Sequence, residues 1–233
     1  MINNYLAIIT ARSGSRRLRN KNILDLCGKP MFVWSILAGL NCKKIDETIV
    51  TTDSEVYRKI AISYGANCPV LRSKELSGDF ASSADVVTEV LESCNKAGKF
   101  FNNLILLQPT SPLRTEKDVG NAIDEYEASG APALVSVSKS ECNPNLIHTL
   151  TKDNLLEGFL KNQDESKGSN SNYYRINGAI YIINTASFLK EKNFFPSGTK
   201  AFIMSREKSV DVDTEFDFNL AKILMSKNLE GEG

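Results

Sequence analysis

The sequence predicts one α/β domain in which a mostly parallel sheet is covered on both faces by helices. Short apolar runs of strand length recur along it: Leu6-Ala7-Ile8-Ile9, Glu47-Thr48-Ile49-Val50-Thr51, Leu104-Ile105-Leu106-Leu107 and Ala133-Leu134-Val135-Ser136-Val137. Between them lie stripes at helical spacing, Val86, Val87, Val90, Leu91 and Cys94 in one and Val119, Ala122, Ile123 and Tyr126 in another. Strands alternating with helices make parallel neighbours joined by crossovers, and the helices then cover both faces of the sheet.

Taken in order, the first strand runs into a polar loop, Thr10 to Asn22, and a helix is expected near Pro30, whose fixed φ suits a first turn. After Val137 the alternation breaks. Residues 138–172 are polar, rich in Asn, Ser and Lys, yet include Leu155, Leu156, Phe159 and Leu160. A stretch that long predicts an excursion with structure of its own, a candidate dimer arm inside the domain 1–233. The pattern resumes at Ile176-Asn177-Gly178-Ala179-Ile180-Tyr181-Ile182-Ile183, and Phe202-Ile203-Met204 is a short strand. A last helix is expected from Thr214, with Phe216, Leu220, Ile223 and Leu224 on its packed side.

Composition narrows the class. The 233 residues are 42% hydrophobic and 24% charged, enough to bury a core unaided. Lys+Arg and Asp+Glu balance at 28 each, so no net field draws the chain to nucleic acid or an anionic membrane. Cys27, Cys42, Cys68, Cys94 and Cys142 are scattered without C-x-x-C spacing, which argues for reduced thiols over zinc or a disulfide framework. The N-terminal apolar run precedes its basic residues, the reverse of a secretory signal, and no run approaches the ~20 residues of a membrane helix. A cytoplasmic location is the expectation.

Three clusters carry chemistry. The first is the loop after the first strand, where open α/β sheets place their ligands. In it Arg12, Arg16 and Lys21 bring cations, Ser13 and Ser15 bring hydroxyls, and Gly14 permits a tight turn, a set suited to a triphosphate. It has neither GxxxxGK[ST] nor GxGxxG, and a solvated basic turn accounts for the same residues about equally well. The second is Gln108-Pro109-Thr110-Ser111-Pro112-Leu113-Arg114, where two prolines stiffen a turn and Gln108 is polar at the end of an apolar run. The plainer role for its polar groups is to cap the next helix. In the third, Ser209-Val210-Asp211-Val212-Asp213-Thr214, alternation puts Asp211 and Asp213 on one face as hard oxygen ligands for Mg²⁺ or Mn²⁺. Capping of the last helix would explain Asp213 but not Asp211. Arg175 and Asn177 flank a strand start and could hold a carboxylate and hydroxyls of a sugar. His148, the sole histidine, has no partner motif and is read as incidental.

Together the segments 11–22, 71–76 with 81–83, 108–114, 175–182 and 209–217 resemble, in order and spacing, the bacterial N-acylneuraminate cytidylyltransferases (CMP-sialic acid synthetases). The resemblance implies a Rossmann-like α/β core of the nucleotide-diphospho-sugar transferase type with a protruding element that packs on a second subunit, hence a homodimer. It implies CTP as one substrate, an acidic nine-carbon keto sugar as the other, and pyrophosphate as a product. By motif it assigns Arg12, Ser15 and Lys21 to the triphosphate; Asn22, Arg72 and Ser83 to the cytidine end; Gln108, Arg175, Asn177 and Tyr181 to the sugar; and Asp211 and Asp213 to the cation. Arg12, Lys21 and the cation would neutralise charge as the sugar hydroxyl attacks the α-phosphorus in line, with Asp211 the candidate proton acceptor. The chain departs from the pattern before 175, where many relatives carry Arg-Gln-x-x-Pro and this one has Lys167-Gly168-Ser169-Asn170-Ser171-Asn172, leaving Lys167 as the possible substitute. Competing readings are a cytidylyltransferase for legionaminate, pseudaminate or Kdo, a glycosyltransferase using the D-x-D at 211–213, and a non-catalytic nucleotide-binding module.

Overall fold

In the computed structural model, which describes residues 3–78, 81–144, 147, 149–155 and 172–231, β1 (Tyr5–Thr10) is an inner strand of a six-stranded sheet. It pairs in parallel with β4 (Glu47–Thr51) on one side and β5 (Asn103–Leu106) on the other. β7 (Tyr174–Asn184) is antiparallel to both β5 and β6 (Ala133–Lys139), and β8 (Lys200–Met204) closes the far edge parallel to β6, giving the order β4-β1-β5-β7-β6-β8. The register between β6 and β7 slips between Val135 and Val137, beside Gly178 at φ +77°.

Alternation along the strands divides the core. Ala7, Ile9, Ile105, Ile180 and Ile182 face α1 (Val33–Leu40) and α4 (Glu116–Ser129). Leu6, Ile8, Leu104, Leu106 and Ile183 face α3 (Ser83–Lys96) and Phe188 of α5 (Thr185–Glu191). The expected stripes are the packed ones: Val86, Val87, Val90, Leu91 and Cys94 on α3, and Val119, Ala122, Ile123 and Tyr126 on α4. Side chains set the helix starts. Ser54 caps α2 (Glu55–Ser63), Ser82 caps α3, and Thr115 with Asp118 forms a capping box on α4.

Two elements differ from expectation. Pro30 does not open a helix, because β2 (Asp25–Leu26) and β3 (Lys29–Pro30) form a small hairpin and α1 begins at Val33. Cys27 and Gly28, at φ +53° and +85°, supply the paired left-handed residues of its two-residue turn. In the last helix, α6 (Glu215–Gly231), Phe216, Leu220 and Ile223 are exposed, while Ala221 and Met225, flanked by Phe218 and Leu224, pack on Leu26, Met31, Leu113 and Val212. Apolar residues ring this helix, and the packed side is the one whose small Ala221 lets α6 approach the hairpin.

Of the excursion, His148, Leu156, Phe159, Leu160 and Lys167 lie outside the described residues, and Leu155 is exposed. Among the described residues no helix is long and apolar enough to cross a membrane. No cysteine forms a disulfide: Cys42, Cys68 and Cys94 are buried, Cys27 is half-buried and Cys142 exposed.

Candidate active site

The parallel strands β1, β4 and β5 end together, and the loops leaving them build one cavity of about 520 Å³. From β1 comes the basic loop. The Ala11 amide continues the β1–β4 ladder to Thr51 O at 3.0 Å, after which Ser13 turns onto Asp53, its amide donating to Oδ1 at 2.7 Å and its hydroxyl to Oδ2 at 2.8 Å. The loop's far end is held by Asn22, whose Nδ2 donates to Arg12 O at 2.9 Å. Asn20 adopts φ +53°, a left-handed conformation asparagine tolerates, and starts the tight turn Lys21–Ile23. Gly14 is not sterically demanded: its φ is not left-handed, and a Cβ there would meet nothing within 4 Å.

Segment 67–72 runs beside the outer strand, bonding through Val50 N to Asn67 O at 2.8 Å and Arg72 N to Thr52 O at 2.8 Å. The buried Arg72 side chain is fixed by Thr51, through Nη2 to the carbonyl at 2.8 Å and Nε to the hydroxyl at 3.1 Å. Burial pushes its guanidinium pKa down, opposed by Asp53 and Glu89. Ser83, the first residue of α3, completes this end.

Opposite lies the turn after β5. Val212 N donates to Thr110 O at 2.7 Å, which stitches segment 209–214 onto the 108–114 turn. Val212 is buried, and the flanking Asp211 and Asp213 both reach the cavity, as alternation predicts. Asp213 is gripped by Lys21 Nζ at 2.9 Å and Arg17 Nη2 at 2.7 Å, and Lys21 also bonds Val212 O at 2.6 Å. Crowding by surrounding protein raises the Asp211 carboxyl above its ordinary range, and Asp213 adds to this, while a hydrogen bond from Thr110 opposes it. Asp213 does not cap α6. That role belongs to Thr214, whose hydroxyl accepts from Asp217 N at 3.3 Å while Asp217 takes the Asp213 and Thr214 amides. Among the described residues the lining holds five basic side chains (Arg12, Arg16, Arg17, Lys21, Arg72) against two carboxylates, a surplus that attracts a polyanion.

The sequence model of the family described as cytidylyltransferase matches residues 6–228, nearly the whole chain and every one of these loops. The chain belongs to the cytidylyltransferase family. It is 34% identical over 227 residues to the CMP-N,N'-diacetyllegionaminic acid synthase of Legionella pneumophila, covering 97% of each. It is 38% identical over 223 residues to the N-acylneuraminate cytidylyltransferase of Escherichia coli, covering 95% of this chain but 52% of that longer relative, about half its length. A solved CMP:2-keto-3-deoxy-manno-octonic acid synthetase complexed with CTP shares the fold, with TM-score 0.72 at 18% identity over 97% of this chain and all of that one.

In this cytidylyltransferase the cavity gathers Arg12, Ser15, Lys21, Asn22, Arg72, Ser83, Gln108, Asp211 and Asp213 from the residues singled out in sequence. Three others stand elsewhere. Arg175 donates to Ser209 O at 3.0 Å and opens on a second cavity of about 400 Å³, which meets the first at Asp211. Asn177 is buried with its amide engaged inside the protein: Oδ1 accepts from Ser136 Oγ at 2.6 Å and Ala179 N at 3.1 Å, and Nδ2 donates to Ser209 Oγ at 2.9 Å. Through these three bonds it shapes the β7 bulge. Tyr181 packs edge-on against Phe194 and Phe195, and burial raises its phenol, with Asp211 adding to the effect. Sequence reasoning missed Asp53, Arg17 and Thr110, which bind the site's loops to one another.

Proposed function

We propose that this cytidylyltransferase transfers CMP from CTP to the anomeric hydroxyl of a nine-carbon acidic keto sugar of the N-acylneuraminate or legionaminate kind, releasing pyrophosphate. The observation that carries the reading is a single cavity in which a cationic loop faces two carboxylates. Arg12, Ser15 and Lys21 hold the triphosphate and Arg12 screens its charge, so the α-phosphorus lies in line with an incoming hydroxyl. Asn22, Arg72 and Ser83 read the pyrimidine. In support, Asn22 Oδ1 is buried in the cavity wall with no partner among the described residues, an acceptor suited to an amine donor. Gln108 and Arg175 bracket Asp211, and the sugar between them presents its hydroxyl to that carboxylate, whose raised pKa suits a proton acceptor.

Asp211 and Asp213 also fit Mg²⁺ or Mn²⁺. Among the described residues no group of three or more acidic, His or Cys side chains forms a closed cage, so phosphate oxygens and water would complete a magnesium shell. Arg17, 68% exposed, can swing away from Asp213 to admit the ion. Such a cation would neutralise charge on the phosphate oxygens. The enzyme acts as a homodimer in this reading, which the exposed apolar side chains Ile176, Ile203, Phe216 and Ile223 support as candidates for cover by a second subunit.

Pyrophosphate release from CTP across a panel of nine- and eight-carbon keto acids tests the activity. Turnover is expected with CTP and a nine-carbon acid and poor with ATP or GTP; comparable turnover with ATP overturns the base assignment. Light scattering at micromolar concentration should give twice the chain mass, and a monomer rejects the dimer.

A further inference from the structure

We infer that Arg114 is a positioning residue for the acidic sugar: it ties the turn carrying Gln108 to the bulge of β7, and so sets where the Gln108 side chain lies. The inference rests on the proposed function, in which Gln108 meets the sugar.

Arg114 is 2% exposed and never reaches the cavity. Its Nε donates to Ala179 O at 2.8 Å in the bulge, and its Nη2 donates both to Gln108 O and to Ser35 Oγ of α1, the latter at 3.1 Å. One planar fork thus joins three elements far apart in sequence, a geometry the point charge of lysine cannot copy. The carboxylate acting on it is Asp118, whose oxygens already accept from Lys208, at 2.8 and 2.9 Å, and from Thr115. A buried cation without a dedicated counter-charge is costly, and an apolar side chain would fill the space more cheaply. What an apolar residue cannot supply is the pair of bonds to Gln108 O and Ala179 O.

The consequence appears beside these two bonds. Gly178, beside Ala179, stands at φ +77°, and the site a Cβ would occupy lies 2.6 Å from Gln108 Oε1. Gln108 therefore rests on bare backbone. The bulge is fixed from its other side by Asn177, Ser136 and Ser209, so the turn is the part drawn into place, by Arg114 together with the longer bonds of Ser111 Oγ to Asn177 O and Ser35 Oγ to Gln108 O, both at 3.3 Å.

The test is a double-mutant cycle on the intact enzyme with Gln108→Ala and Arg114→Lys, following the sugar KM, the CTP KM and kcat. Arg114→Lys is expected to raise the sugar KM about 10-fold while the CTP KM moves less than about 3-fold. The pair should be no worse than Gln108→Ala alone, because both changes remove one function. Additive losses, or a lower thermal midpoint with unchanged sugar KM, overturn the inference. Should Arg114→Lys fail to fold, Ser35→Ala, which removes one acceptor of the fork, takes its place in the cycle, with coupling expected and additivity fatal. A wild-type enzyme inactive with every keto acid rejects the proposed function and this inference together, whereas an active one with an additive cycle rejects only the clamp.

Discussion

Asp53 holds Ser13 by both of its carboxylate oxygens, one on the amide at 2.7 Å and one on the hydroxyl at 2.8 Å. This contact fixes the chain where it leaves β1, one residue past Arg12, and decides where the basic loop points. Hydrogen bonds to a charged group contribute about 1.5–3 kcal/mol each. Asp53→Ala should therefore weaken CTP binding at least about 10-fold while the sheet stays folded. Calorimetric titration with CTP, alongside circular dichroism, checks this, and unaltered affinity in a folded variant would remove Asp53 from the site.

Gly178 is the floor beneath Gln108, and alanine there meets two obstacles at once. A left-handed backbone costs a residue with Cβ about 1–2 kcal/mol, and the new methyl would stand 2.6 Å from Gln108 Oε1. The thermal midpoint should fall by roughly 2–8 °C, and the sugar KM should rise as Gln108 is displaced. If the midpoint falls while the KM for sugar holds, Gln108 has another resting place and its contact with the sugar is in question.

The fold was legible where period and burial agree. Leu6 to Ile9 reads as a buried strand, and Val86, Val90 and Cys94 as a helix face, because each has polar neighbours that settle its orientation. On α6 no such contrast exists, and Phe216, Leu220 and Ile223 read as core although Ala221 and Met225 are the packed residues. Gln108 was legible as a polar residue at a strand end, and Asp211 and Asp213 as alternating carboxylates on an extended segment. Asp53 carries the same signal after Glu47–Thr51, and the rule that found Gln108 would have found it too. What no local rule could supply is its partner, since the parallel register of β1 and β4 brings Ser13 beside Asp53 across 40 positions. Asn177 shows the converse, because its spacing is that of a ligand residue while its amide also bonds Ser136 and Ser209 inside the protein, which no local pattern foretells.

The five thiols should react very unequally. Burial raises the Cys42, Cys68 and Cys94 thiols, lowering their thiolate fraction as well as closing off approach, whereas Cys142 is exposed. Titration of the native enzyme with an aromatic disulfide reagent should show one fast thiol, Cys142, and one slower thiol, the half-buried Cys27. The three buried thiols should appear only on unfolding. Cys142→Ser should abolish the fast phase, and its persistence would mean that Cys27, or a buried cysteine reached by local opening, is the fast thiol.

The carboxylates at 211 and 213 separate a metal role from a structural one. Thr214 with Asp217 caps α6, so Asp213→Asn leaves the helix start intact and removes only the charge that faces Lys21 and Arg17. Asp211 has its pKa raised by the protein around it, most by desolvation and further by Asp213. A carboxyl whose folded pKa exceeds its unfolded one favours folding fully below the unfolded value, and that contribution is lost as pH rises through the folded value. Asp211 as a residue is exposed, so solvent screens this effect, and Asp211→Asn should leave the thermal midpoint nearly unchanged. Loss of a charge that a hard cation needs removes several kcal/mol from a metal-assisted step, so turnover should fall on the order of 10²-fold in either variant. Part of the loss should be recovered at higher Mg²⁺ or Mn²⁺ if the ligand set is weakened rather than destroyed. Turnover and midpoint measured together over a metal titration decide the matter, and near-normal turnover in Asp211→Asn would end its assignment both as metal ligand and as proton acceptor.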